Sequence, residues 1–346
     1  MKKILALVLA LAMVATLAAC GGASEAEYKL GMGITVSLDS SADKTDEKNA
    51  TAQADATVAA VVLDKDGKIV DIAIDCAQTK VSVADGKIVD KDKVDVRTKY
   101  EKKGDYGMTV ASPIGKEWYE QVDALVEWCV GKTAAEIAAS GTKENDHGYK
   151  VSADADLYAG CTMQVTDFLD AIAKACDDAQ GKTFTAAEGF KLGLDVETNV
   201  AGSTDAGEKN ATAQLYSTFG AIVVDADGKT VAALVDEIQP KVEVDADGKI
   251  AAKNFVDTKR NLKEDYYMVK YSPEGTCIAE WYVQAADLTD YIAEKAMTAT
   301  EIKAIATADT RKDGYMRPTD ADLAAVCTMQ IAGYQTVLAN AADAAK

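Results

Sequence analysis

Histidine is almost missing from this chain: His147 is the single one in 346 residues. A zinc centre built on imidazoles, a histidine-based hydrolase and a haem held by two histidines are thereby excluded. His147 itself has no counterpart elsewhere in the sequence and reads as a loop residue. No Walker-type loop occurs, and no Gly-x-Gly-x-x-Gly follows an apolar strand pattern. A basic stripe is also missing. The formal charge is −19, and more negative once Lys2 and Lys3 are removed, so nucleic acid and anionic lipid surfaces would be repelled. Seven cysteines are present but no Cys-x-x-Cys. Beyond Cys20, only Cys161 and Cys327 hold matching positions, whereas a disulfide framework should repeat with its domain. Scattered buried thiols are expected, which points to a reducing habitat. Prolines are few and low-complexity tracts absent, so order is expected throughout, apart from one short tether.

The N-terminus carries an export signal over residues 1–20. Lys2 and Lys3 give the positive start, Ile4 to Leu17 is apolar, and Leu17-Ala18-Ala19-Cys20 ends the run. That run is shorter than the ~20 apolar residues needed to span a bilayer. The ending resembles a bacterial lipobox, which implies that Cys20 carries a diacylglycerol anchor. Each buried methylene of such an anchor contributes about 0.8 kcal/mol. Residues 21–28 read as a flexible tether. No later segment is apolar enough to cross a membrane, so the remainder is expected outside the cytoplasm, held at the cell membrane by lipid.

What the chain does contain is one pattern written twice. Lys29-Leu30-Gly31 returns as Lys191-Leu192-Gly193, and Asn49 to Gln53 as Asn210 to Gln214. Asp105-Tyr106-Gly107-Met108 returns as Asp265-Tyr266-Tyr267-Met268, and Glu117-Trp118-Tyr119 as Glu280-Trp281-Tyr282. Cys161-Thr162-Met163-Gln164 returns as Cys327-Thr328-Met329-Gln330. The near-constant offset predicts two tandem domains, 29–180 and 181–346, rather than a short solenoid repeat.

Each copy opens on β-branched runs separated by an Asp-Gly turn: Thr57–Leu63 and Ile69–Ile74 around Asp64–Lys68, with Asp225–Lys229 as the second turn. Asp85-Gly86 and Asp247-Gly248 predict a further turn and short strand. Val62 and Val223 stand where a calcium loop needs its first ligand, so these are read as turns. Trp118, Val122, Leu125 and Cys129 recur at helical spacing. Thr133 to Glu136 and Thr298 to Glu301 are capping boxes. Val165, Leu169, Ile172 and Cys176 should mark the buried face of a last helix. The fold class is α+β: in each domain a small, mostly antiparallel sheet with helices packed on it.

After these exclusions, Asp154 to Gln164 and Asp320 to Gln330 remain as the chemically suggestive segments. In both, acidic residues lead through small ones to Thr162 or Thr328, placed by the pattern at the first turn of the final helix. One reading is structural, with the threonine capping that helix.

The other reading comes from resemblance. The hairpin Val61–Ile74, the glycine- and proline-bearing loop Gly107–Trp118 and the acidic-to-threonine segment resemble the FMN-binding domain family. That family includes the duplicated, covalently flavinylated lipoproteins of bacterial extracellular electron transfer. Its motif favours Ser-Gly-Ala-Thr, where this chain has Ala159-Gly160-Cys161-Thr162 and Ala325-Val326-Cys327-Thr328. The resemblance implies that a flavin transferase joins FMN, through its phosphate, to Thr162 and Thr328, with Asp156 and Asp322 as the preceding acids. Cys161 and Cys327 fall inside the motif. Tyr106, Met108, Tyr266 and Met268 are then candidates for the flavin wall, since stacking on aromatics suits a flat ring. Trp118, Tyr119, Trp281 and Tyr282 are further candidates, with a plain core role as the other reading for the tryptophans.

The implied function is that of an electron carrier and not of an enzyme: a lipid-anchored flavoprotein relaying electrons from a membrane quinone-linked donor to extracellular acceptors. No metal and no catalytic residue is assigned. An alternative is a cofactor-free acidic surface lipoprotein that binds a ligand or partner, its threonines serving as caps. A third reading has one working site, at Thr162.

Overall fold

The computed structural model describes residues 25–345. The expected export signal, residues 1–20, and the cysteine expected to be lipidated, Cys20, lie outside the described residues. The first half runs β1 (Ala26–Ser37), β2 (Ala50–Leu63), β3 (Ile69–Ala84), β4 (Lys87–Ile88). Helices α1 (Lys99–Lys102), α2 (Trp118–Cys129) and α3 (Ala134–Ser140) follow. A small ribbon, β5 (Thr142–Glu144) and β6 (Lys150–Ser152), leads to α4 (Ala155–Gly160) and α5 (Thr166–Cys176).

The second half runs β7 (Lys182–Ala186), β8 (Lys191–Asn199), β9 (Ala211–Gln214), β10 (Tyr216–Val224), β11 (Thr230–Ile238), β12 (Lys241–Val244) and β13 (Ile250–Asn254). Then come α6 (Lys259–Leu262), α7 (Met268–Tyr271), α8 (Trp281–Glu294) and α9 (Ala299–Lys303). The ribbon β14 (Thr307–Ala308) and β15 (Arg317–Pro318) precedes α10 (Ala321–Val326) and α11 (Ala332–Ala344). Antiparallel sheets with segregated helices make this an α+β fold.

The Asp-Gly turns form as the sequence predicts. Asp64 Oδ1 accepts from the N–H groups of Asp66 and Lys68, both at 2.9 Å, and Gly67 takes φ 75°. Asp225 does the same for Asp227 and Lys229. The strands on either side are longer than the apolar runs implied. β2 begins at Ala50 and β3 continues to Ala84, so Thr, Gln and Asp residues of low apolar content are drawn into the ladder. In the second half the corresponding strands are each broken in two. Pro240 stands at the break between β11 and β12, and a proline has no N–H for the ladder; its carbonyl instead accepts from Leu215, which separates β9 from β10.

Both faces of the central strands are buried, which explains their unbroken apolar runs. Along β2 the residues alternate. Ala59, Val61 and Leu63 point to a core shared with α2, α4 and α5. Val58, Ala60 and Val62 point to a second core that also contains Phe184, Leu192, Phe219, Ala221 and Val223. Ile222 and Val224 face a third core with α8, α10 and α11. The two sheets therefore enclose a common interior, and the helices of each half lie outside. Strand β7, in the segment that opens the second sequence copy, pairs with β1 of the first sheet.

The repeated Lys-Leu-Gly has a packing cause. A Cβ on Gly31 would lie 2.0 Å from the Ala175 carbonyl oxygen, and one on Gly193 1.8 Å from that of Ala341. Only glycine lets α5 rest directly on β1 and α11 on β8. The face of α5 is set accordingly: Phe168, Ala171, Ile172 and Ala175 are buried, while Leu169 and Cys176, expected inside, are only half-buried.

Candidate functional site

The sequence places Thr162 and Thr328 in the first turn of a helix; the structure does not. Helix α4 ends at Gly160 and α5 starts at Thr166, with Val165 as its N-cap and no side-chain cap bond. Helices α10 and α11 are arranged alike, with Ile331 as the N-cap. Each threonine sits in the extended linker between two helices, just after Cys161 (φ −140°) or Cys327 (φ −135°). Neither hydroxyl is engaged in capping. The caps of α4 and α10 are Asp154 and Asp320, whose carboxylates accept from the N–H groups two and three residues on.

Each threonine is instead held by a glutamine of the Trp helix. Gln121 Oε1 accepts from the Thr162 N–H at 2.9 Å and from its hydroxyl at 3.2 Å. Gln284 Oε1 accepts the same pair from Thr328 at 2.7 and 3.1 Å. Both glutamines are 0 % exposed. Sequence reasoning missed them. The signal was a polar residue inside the apolar stripe, at the same step after Glu-Trp-Tyr in both copies.

The aromatic candidates gather around a lysine, half-buried in the first half and buried in the second, which sequence reasoning also missed. Lys99 Nζ lies 5.2 Å from the Tyr106 ring centroid and 5.7 Å from that of Trp118. Lys259 repeats this with Tyr266 at 4.8 Å and Trp281 at 5.7 Å, distances at which ring faces attract a cation. The tryptophans are 2 % exposed and belong to the core, whereas Tyr106 and Tyr266 are half-buried. Glu117 and Glu280 fix the loop that carries them, accepting from the N–H groups of Met108 (2.8 Å) and Met268 (2.7 Å). Tyr119 and Tyr282 lean elsewhere, onto Tyr100 and Glu264.

The lysines differ in their partners. Lys259 forms an ion pair with Glu237 at 2.6 Å and bonds Tyr216 at 3.2 Å. Burial works against its charge, but the Glu237 carboxylate outweighs it and raises the pKa. Where Glu237 stands, the first half has Cys76, and where Tyr216 stands it has Asp55. Asp55 accepts from the side-chain amides of Gln53 and Gln78, each at 2.7 Å. Asp75 and Asp236, next along β3 and β11, anchor the lysine-bearing turns by accepting from the N–H groups of Tyr100 and Arg260. Burial pushes both carboxyls up to about 6.

In the second half these groups line one cleft of about 810 Å³, a volume usual for a cofactor site. Thr328, Tyr266, Met268, Lys259 and Arg317 all face it. Arg317 Nε donates to the Thr328 carbonyl at 3.0 Å, and Asp313 holds the rest of the guanidinium from the side. Asp322 does not line the cleft and is exposed, as is Asp156. Cys161 and Cys327 are core residues whose thiols burial pushes up to about 11. His147 is exposed in the turn between β5 and β6. Among the described residues no helix is long and apolar enough to cross a membrane.

The chain matches no protein-family model, no curated protein and no solved structure.

The lining of the cleft combines hydroxyl, cationic and aromatic side chains, the kinds of group that a flat ring with a phosphate tail would need. The Thr328 hydroxyl, bonded to Gln284, shares the lining of the cleft with Lys259 and Arg317, and Tyr266 and Met268 line it too.

Proposed function

We propose that this chain is a lipid-anchored electron carrier of the cell surface, with FMN esterified to Thr162 and Thr328. Electrons would reach it from a quinone-linked membrane donor and leave to extracellular acceptors. The observation that carries this reading is the position of Thr328: outside any helix cap, with its hydroxyl held at the edge of a cleft lined by aromatic and cationic side chains.

When attached, the flavin supplies reversible electron uptake, and the protein's part is to bind and orient it. Lys259 and Arg317 supply the cationic side chains of the cleft, each already paired with a carboxylate, Glu237 or Asp313. Tyr266 and Met268 present the wall, and Glu280 keeps their loop in place. Lys99, Tyr106, Met108 and Glu117 take these parts in the first half. A covalent link keeps the group on an exported protein that would hold a free anion poorly.

The test is to produce the chain with a flavin transferase and run it on a denaturing gel. Flavin fluorescence should stay with the band, and intact mass should show two FMN groups. Thr162→Ala with Thr328→Ala should abolish both signals. A wild-type mass of polypeptide plus lipid alone would sink the proposal.

A further inference from the structure

We infer that Gln121 and Gln284 are positioning residues for flavin attachment: each orients the hydroxyl of its threonine so that the oxygen, and not the hydrogen, faces the incoming phosphate. This deepens the reading above and rests on it.

The argument starts from the amide's own fixation. Gln284 Nε2 donates to the Ala279 carbonyl at 2.6 Å and to Cys277 Sγ at 3.3 Å. Gln121 Nε2 donates to the Lys116 carbonyl and to Ser112 Oγ, both at 3.1 Å. Carbonyls only accept and a threonine N–H only donates, so the amide cannot be turned over. Its oxygen is therefore committed to the threonine, where it takes both available hydrogens. With its hydrogen directed onto that oxygen, the hydroxyl has its lone pairs pointing elsewhere. The residue around it lines the cleft in the second half.

Esterification needs that orientation. A phosphate monoester does not condense with an alcohol unaided, so the donor must be an activated FMN phosphoanhydride brought by the transferase. In the step, threonine Oγ forms a bond to phosphorus while the anhydride P–O bond breaks. The leaving nucleotide or phosphate takes the electron pair of that bond, and the hydroxyl proton passes to a base of the transferase. Holding a nucleophile in attack geometry is a large part of such catalysis. Once the ester has formed, the bond from the threonine N–H to the same glutamine remains, so the linker keeps its shape around the modified residue. The same glutamine also explains selection. Other threonines of the chain, such as the caps Thr133 and Thr298, use their hydroxyl oxygens to accept the N–H groups of Glu136 and Glu301, so those lone pairs are occupied.

The experiment uses the full chain, purified transferase and its flavin donor, with peptide mass reading each site separately. Gln284→Leu should slow flavin transfer to Thr328 at least tenfold while Thr162 is modified at the normal rate. Gln121→Leu should give the mirror result. Normal modification at the other site, whose glutamine is unchanged, reports in each case that the chain is folded. Gln284→Glu keeps an acceptor oxygen for Thr328 but loses the donor to the Ala279 carbonyl, and should recover only part of the rate. The loss should fall on kcat, with KM for the chain nearly unchanged. Equal rates at Thr328 with and without Gln284 overturn the inference and leave the proposed function standing. A wild-type chain that takes up no flavin at either site overturns both.

Discussion

Arg260, from the second half of the chain, places a guanidinium nitrogen 2.8 Å from the Asp178 carboxylate of the first, and both side chains are 8 % exposed. The same carboxylate oxygen accepts from the Met32 N–H at 3.1 Å, and the Arg260 carbonyl accepts from Gln180 Nε2. A buried ion pair gains little over an apolar pair, but a single partner left behind is costly. Asp178→Ala and Arg260→Ala should each lower stability by about 3–5 kcal/mol. The double variant should lose less than the two losses added together, measured by urea unfolding. Additive losses would show that the contact is incidental.

Gly193 is a second sensitive point. An alanine there puts a methyl group 1.8 Å from the Ala341 carbonyl oxygen. Helix α11 must then lift off β8. Overpacking of this kind costs about 1–3 kcal/mol. Gly333→Ala, at a site where a Cβ meets nothing within 4 Å, should be harmless or mildly stabilising because it lies within α11. Thermal melts of the two variants should differ clearly in direction or size.

The buried carboxyls predict an unusual response to pH. Asp75 and Asp236 are raised by burial from 3.8 to about 6, and Asp195, through burial and the nearby Glu197, to about 7. Each binds its proton more tightly folded than unfolded. Their contribution is therefore fully present below the unfolded value near 4 and is lost as pH rises through 6 to 7. Unfolding free energy should be higher at pH 5.5 than at pH 7.5, with Asp75 and Asp236 each contributing about 1 kcal/mol and Asp195 about 2 kcal/mol. Asp236→Asn and Asp75→Asn should flatten that slope. A wild-type protein that is more stable at pH 7.5 contradicts the assignment.

The lysine partners can be exchanged between halves. Glu237→Cys copies the first-half arrangement at one position and strips Lys259 of its 2.6 Å partner. A loss of about 3–5 kcal/mol is expected. Adding Tyr216→Asp supplies the carboxylate that the first half carries at Asp55, and should recover part of the loss. Denaturant unfolding of the two variants checks this; no recovery would mean that Asp55 does not balance Lys99.

Much of the fold is legible in the sequence because its signals are local. Asp-x-Asp-Gly sets the hairpins, Thr-x-x-Glu opens α3 and α9, and the stripe of Trp118, Val122, Leu125 and Cys129 gives the inner face of α2. The candidate site is legible only in part. The sequence pattern starts the last helix at Thr162, whereas it starts at Thr166; Thr162 is held out of it by Gln121, 41 residues earlier in the chain, beside the buried Cys161. The length of β2 and β3 is likewise a tertiary effect, since Ala, Gln and Asp have little strand preference of their own. The half-buried Lys99 and the buried Lys259 gave no sign of their setting, because a lysine is read as surface unless its partners are known.

The interior enclosed by the two sheets takes Leu30, Met32 and Val58 from one copy and Phe219, Ala221 and Leu234 from the other. Either copy produced alone would bare that oily surface to water, and such a fragment should clump or be degraded. The gene can therefore drift in its surface loops, but neither copy can be dropped without the loss of its twin.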